Sequence, residues 1–170
     1  MPAQQETISQ DREHERLDQH LIHGKRMVIC EDEGLTLIQL RRAMTRAGLT
    51  IVGAVTSGKN GMEVILRERP DIVLMDVGMP ATDDFEAIRC IREKYHPCII
   101  MLTGYPNPEF RAKAATLGIS EYLIKPVTSD VLIPFVIQAL EQFRSWSRQQ
   151  TVSAGMLESL NELSGRNGCR

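Results

Sequence analysis

From Met27 onward, hydrophobic residues fall in short unbroken runs: MVIC (27–30), IVGAV (51–55), IVLM (72–75), CIIML (98–102) and YLI (122–124). These runs are rich in β-branched side chains and do not alternate with polar ones. A strand with one wet face alternates, whereas a continuous run requires apolar cover on both faces, the condition of a parallel sheet. Between the runs, apolar residues recur at helical spacing. In LTLIQLRRAMTRAG (35–48), Leu37, Leu40, Met44 and Ala47 share one stripe and Gly48 offers a stop. GMEVILRER (61–69), DFEAIRCIREKY (84–95), PEFRAKAATLG (108–118) and SDVLIPFVIQALEQFRSW (129–146) read the same way. Five strand–helix units predict an α/β doubly wound five-stranded parallel sheet. Pro134, inside the last predicted helix, is expected to kink it or delay its start.

The two ends differ from this central part, which spans residues 25–146. Residues 1–24 carry five acids, two arginines and three of the four histidines, and are expected to be a polar extension, helical or disordered. His14, His20 and His23 lack a fixed scaffold there and make a poor metal site. Residues 147–170 are expected to be a short tail without a folded output domain. At most one amphipathic helix is expected within it, around Met156–Leu163. Trp146 is expected to anchor the last helix.

Composition narrows the class. The 170 residues are 42% hydrophobic and 25% charged, a balance suited to a folded core. A net charge of −2 gives no electrostatic case for a nucleic-acid or membrane surface, and no direct nucleic-acid binding is expected. Cys30, Cys90, Cys98 and Cys169 show no CxxC spacing, which argues against a zinc site or a disulfide framework. The polar N-terminus does not read as a signal peptide, and a cytoplasmic location is expected.

The chemistry lies at the ends of the runs. The first ends in Glu31, Asp32 and Glu33, the third in Asp76, the fourth in Thr103 and the fifth in Lys125; the second ends in neutral Thr56 and Ser57. Open parallel sheets bind ligands beyond the carboxyl ends of the strands, where the winding direction switches. In the strand order 2-1-3-4-5 that switch lies between the first and third strands, the two that end in carboxylates. Converging carboxylates raise one another's pKa and need a cation. Glu31, Asp32 and Asp76, with the backbone carbonyl of Gly78, suit Mg2+, a hard ion that takes oxygen ligands and keeps waters. The missing side chain at Gly78 is expected to keep the approach open. Lys125 and Thr103 are instead suited to an anion, as an ammonium and a hydroxyl for phosphoryl oxygens. A carboxylate so equipped can attack phosphorus and become an aspartyl phosphate.

The segments VICEDEG (28–34), PDIVLMDVGMP (70–80), MLTG (101–104) and YLIKP (122–126) resemble the receiver domain of two-component response regulators, in order and spacing. Asp32 and Asp76 are 44 positions apart and Thr103 and Lys125 are 22 apart, both typical of that family. The resemblance implies a chemotaxis-receiver-like fold with this same strand order, which is also a standard illustration of the doubly wound rule. It implies Asp76 as phosphoacceptor from a histidine kinase or histidine phosphotransfer protein, with Mg2+ held at Glu31 and Asp32. Thr103 and Lys125 then read the phosphoryl group, Tyr122 takes the place of the switch aromatic, and the Lys125–Pro126 bond is cis. A homodimer through the fourth helix, fifth strand and last helix is one arrangement the resemblance allows.

Three positions depart from or vary within the family pattern. Asp84 stands where glycine is frequent and is expected to cap the helix that begins there. Gly78 and Tyr105 flank the site at variable positions. The expectation is a single-domain response regulator that signals by protein contacts and is not an enzyme. The alternatives are a phosphorylation-independent receiver-like scaffold and an aspartate-nucleophile phosphatase. The phosphatase is disfavoured because Gly78, two residues after Asp76, offers no second acid for a leaving group.

Overall fold

The computed structural model describes residues 20–79, 83–104, 108–117, 119 and 122–165, with the backbone alone at 111 and 150–165. Strands β1 (Arg26–Cys30), β2 (Thr50–Val55), β3 (Ile72–Asp76), β4 (Cys98–Thr103) and β5 (Tyr122–Ile124) alternate with helices. The helices are α1 (Gly34–Arg46), α2 (Gly58–Glu68), α3 (Asp84–Lys94), α4 (Pro108–Thr116) and α5 (Ser129–Gly165). The sheet is parallel throughout, in the order β2-β1-β3-β4-β5. The expected fold class and order both hold.

The unbroken apolar runs are explained by cover on both faces. Successive strand side chains point to opposite sides, and the sheet has a separate core on each. Met27, Ile29, Ile72, Leu74, Ile100 and Leu102 pack with Leu37, Leu40, Met44, Leu132 and Val136 of α1 and α5. Val28, Cys30, Val73, Met75, Ile99 and Met101 pack with Ile65, Ile88, Ile91 and Phe110 of α2, α3 and α4. Cys30 and Cys98 are both buried in these layers as small apolar groups, and burial pushes the Cys30 thiol up to about 12. Trp146 anchors α5 as expected: its ring lies 6.0 Å from that of Phe143 and 6.4 Å from that of His96, with the Arg92 guanidinium 5.8 Å from its centre.

Three local expectations change. The last helix does not end at Trp146 with a separate short helix later; α5 is one helix of 37 residues reaching Gly165. No proline interrupts residues 147–165, and Gly155 alone weakens a helix without ending it. Pro134 does not delay the start of α5. The amides of Val131 and Leu132 both donate to the Thr128 carbonyl, so the helix is under way before Pro134 withholds one bond near its N-terminus. On the N-terminal side, residues 20–22 are helical and Ile22 is fully buried against the α1–α5 core, so the packed unit begins before residue 25. The remainder of the N-terminal extension, with His14, and the end of the tail, with Cys169, lie outside the described residues.

Two glycines, Gly53 and Gly61, let α2 approach the sheet. A β-carbon on Gly53 would come within 2.5 Å of Val64 Cγ1 and 3.3 Å of Val28 Cγ2. Val64 is branched at Cβ and has little rotamer freedom with which to retreat. Gly53→Ala is therefore expected to lower unfolding free energy by about 1–3 kcal/mol through overpacking. Gly34→Ala, where a β-carbon meets nothing within 4 Å, is expected to be neutral or slightly stabilising. Urea unfolding of the two variants beside the parent chain checks both signs.

Candidate functional site

Register carries the two acids to one place. Cys30 pairs with Met75 across β1 and β3, so the next position on each strand brings Glu31 beside Asp76. Both follow the alternation of Ile29 and Leu74 and leave the sheet on the same side. Neighbouring β4 pairs Leu102 with Asp76, and Thr103 pairs with Ile124 on β5. One further step reaches Lys125, whose amide donates to the Thr103 carbonyl at 2.9 Å, followed by the cis peptide to Pro126. Four chain segments thus meet beyond the carboxyl edge of β1, β3, β4 and β5.

Their side chains converge. Lys125 Nζ lies 2.6 Å from Glu31 Oε2 and 2.7 Å from Asp76 Oδ2. Glu31 is fully buried, Asp76 and Thr103 are nearly so, and Asp32 is exposed. Glu31, Asp32 and Asp76 each offer a carboxylate oxygen, and these oxygens lie within 4.8 Å of one another. The pair with Lys125 affects its two sides differently. Burial pushes the Glu31 carboxyl up, and the Asp76 charge adds to this, outweighing the hydrogen bond from Lys125. Burial works against the Lys125 ammonium, yet its hydrogen bonds to Asp76 and Glu31 prevail and hold its pKa above the ordinary value.

Three carboxylates face one ammonium, so the cluster retains an excess of negative charge and a set of hard oxygen donors. That donor set fits a divalent cation such as Mg2+, with the exposed Asp32 on the side open to solvent. A β-carbon on Gly78 would meet nothing within 4 Å, so space is not what calls for glycine there. Its φ of +87°, a conformation that side chains strain to adopt, is the reason. Tyr122 is half-buried at the start of β5, its ring edge-on to that of Phe110 at 6.5 Å. Pro80 and Tyr105 lie outside the described residues.

Sequence reasoning misassigned one residue beside the site. The N-cap of α3 is Asp83, whose Oδ1 accepts from the amides of Phe85 and Glu86, both at 3.1 Å. Asp83 and Glu86 have the three-residue spacing of a capping box, a signal that identifies the cap. Asp84 instead begins the helix, is buried, and accepts from the Gly78 amide at 2.7 Å. Burial pushes its carboxyl up; the Gly78 bond opposes this and the Asp76 charge adds to it.

Comparison with known proteins gives a consistent result. The description "Response regulator receiver domain" matches residues 27–137. The transcriptional regulatory protein PdtaR of Mycobacterium tuberculosis is 32% identical over 138 residues, covering 81% of this chain and 65% of the relative. The probable C4-dicarboxylate response regulator DctR of Halalkalibacterium halodurans is 29% identical over 137 residues, covering 79% and 60%. The chain therefore spans less than two-thirds of the length of these relatives. Among solved structures, a CheY-like receiver domain protein from Methanospirillum hungatei superposes with a TM-score of 0.65 at 22% identity, over 72% of this chain and 98% of that one. Chemotaxis response regulator CheY4 of Vibrio cholerae gives 0.62 at 22% identity, over 68% and 98%; at such identities these two show the shared fold. With a sheet order, a strand-end cluster and a matched span that agree, the chain belongs to the response regulator receiver domain family of two-component signalling.

Proposed function

We propose that this chain is a phosphorylation-controlled switch in which Asp76 accepts a phosphoryl group from a histidine kinase or a histidine phosphotransfer protein. The observation that carries the reading is the double contact of Lys125 with Glu31 and Asp76 beside the exposed Asp32. In this reading the Asp76 carboxylate attacks the phosphorus of a phosphohistidine. A P–O bond forms, the P–N bond breaks, and the departing electron pair stays on the imidazole nitrogen, which takes a proton from solvent. Glu31, Asp32 and Asp76 with the Gly78 carbonyl would hold Mg2+, which when bound supplies positive charge to the phosphoryl oxygens. Lys125, at 2.7 Å from Asp76 Oδ2, then pairs with a phosphoryl oxygen. Thr103, at the end of β4, offers its hydroxyl to another.

Output comes from rearrangement and not from turnover, so the protein acts as a switch and not as an enzyme. Movement of the Thr103 hydroxyl toward the phosphoryl group frees room for Tyr122 to rotate against Phe110. This alters the face formed by α4, β5 and α5, on which a downstream protein or a second copy of the chain docks. The half-exposed Ile124 on β5 and Val131 on α5 give that region apolar surface to use.

Intact-mass analysis after incubation with Mg2+ and acetyl phosphate tests the acceptor. One added phosphoryl group is expected, absent in Asp76→Asn and blocked by EDTA. No adduct with any phosphodonor would favour a phosphorylation-independent scaffold, and steady phosphate release from many esters a phosphatase.

The charge imbalance generates a second test. Asp32→Asn removes one of three crowded carboxylates, so the metal-free variant is expected to melt no lower than the parent. The parent at Mg2+ a hundredfold above its dissociation constant should gain about 2.7 kcal/mol. Most of that gain should be lost in Asp32→Asn. Thermal melts with and without Mg2+ check both effects, and equal gains in the two proteins would remove Asp32 from the metal site.

A further inference from the structure

Asp84 is a buried carboxylate whose place in the helix leaves it without an obvious task. Asp83 already caps α3, and the first turn has Glu86 as well for its dipole. One Asp84 oxygen, Oδ1, is buried with no hydrogen-bond partner among the described residues. Its charge also faces that of Asp76. Both features cost stability, since a buried carboxylate is tolerated only where it is well paired. Its other oxygen makes one short bond, accepting from the Gly78 amide six residues back at 2.7 Å.

That bond falls at a loop position where packing gives no support. Val77 is fixed because its amide donates to the Leu102 carbonyl at 2.8 Å, and Met79 is fixed by burial in the α2–α4 core. Gly78, between them, has a φ of +87° and open space where its side chain would be. A glycine there can adopt many orientations. The Asp84 carboxylate, tied to its N–H, selects one.

We propose that Asp84 is a positioning residue: by holding the Gly78 N–H it fixes the Val77–Gly78 peptide, and with it the backbone of Gly78, whose own carbonyl, one peptide further on, completes the divalent-cation site of Glu31, Asp32 and Asp76. This rests on the reading of that cluster as a Mg2+ site. Asp84 acts one shell away, as the partners that orient metal ligands commonly do. It ties the loop after β3 to the start of α3, so the metal site and that helix share one constraint.

The test is calorimetric titration of the full chain with Mg2+ alone, with no phosphodonor, alongside 15N–1H spectra that report the Gly78 amide. Asp84→Ala is expected to weaken Mg2+ binding about tenfold and to move the Gly78 amide proton upfield as its short bond is lost. Asp84→Asn keeps a carbonyl acceptor, and should stay within about threefold of the parent with Gly78 little changed, since orientation and not charge is the asset. If Asp84→Ala fails to fold, Asp84→Gly removes the same tie and is read in the same way. Equal affinity in the parent and the Ala or Gly variant overturns the proposal. So does an Asn variant as weak as Ala, which would make charge the operative property. A parent chain that binds no Mg2+ would overturn the metal reading itself, and this inference with it.

Discussion

The Lys125 ammonium sits between Glu31 and Asp76 at 2.6 and 2.7 Å, and the rest of the site is arranged around that contact. Two carboxylates at the ends of adjacent strands, one of them fully buried, repel each other in a medium that screens poorly. A cation must stand between them. Lys125 does so from a third chain segment, two strands away from β3, so the contact also ties β5 to the centre of the sheet. Because it is one charge against three acids, it lessens the repulsion without ending it. The excess of carboxylates leaves a set of hard oxygen donors that fits a second cation.

The sheet makes that contact possible. In the order β2-β1-β3-β4-β5 the two central strands, β1 and β3, wind away from each other, and no connection crosses the cleft between their ends. Parallel register then decides which side chains emerge together. Glu31 and Asp76 are each one residue beyond the paired Cys30 and Met75, so a shift of one residue in either strand would send one acid to the opposite face. The two apolar layers fix the register, because such a shift would also exchange every core side chain between layers. Core packing and site geometry are thus consequences of one alignment.

The Asp83–Asp84 pair shows how neighbouring identical residues can be divided by geometry. Asp83, with extended backbone, is exposed and caps the helix; Asp84, the first helical residue, turns inward to Gly78. The same carboxyl group is cheap in the first position and costly in the second. Asp84 joins Glu31, Asp76 and Thr103 as the buried polar side chains among the described residues.

Much of this was legible in the chain itself. Unbroken β-branched runs and helical stripes determined a parallel sheet with helices on both faces, and the acids, Thr103 and Lys125 at strand ends determined where polar chemistry would gather. These properties arise from local periodicity and from strand ends facing solvent, both of which a linear sequence records. The rest depended on contacts between distant residues. That Lys125 bridges Glu31 to Asp76 and does not simply extend into water, and that Ile22 belongs to the core, were decided by packing. The choice of Asp83 over Asp84 as cap was written in the Asp83–Glu86 spacing, but the bond from Gly78 to Asp84 was not, because it depends on where a loop folds back.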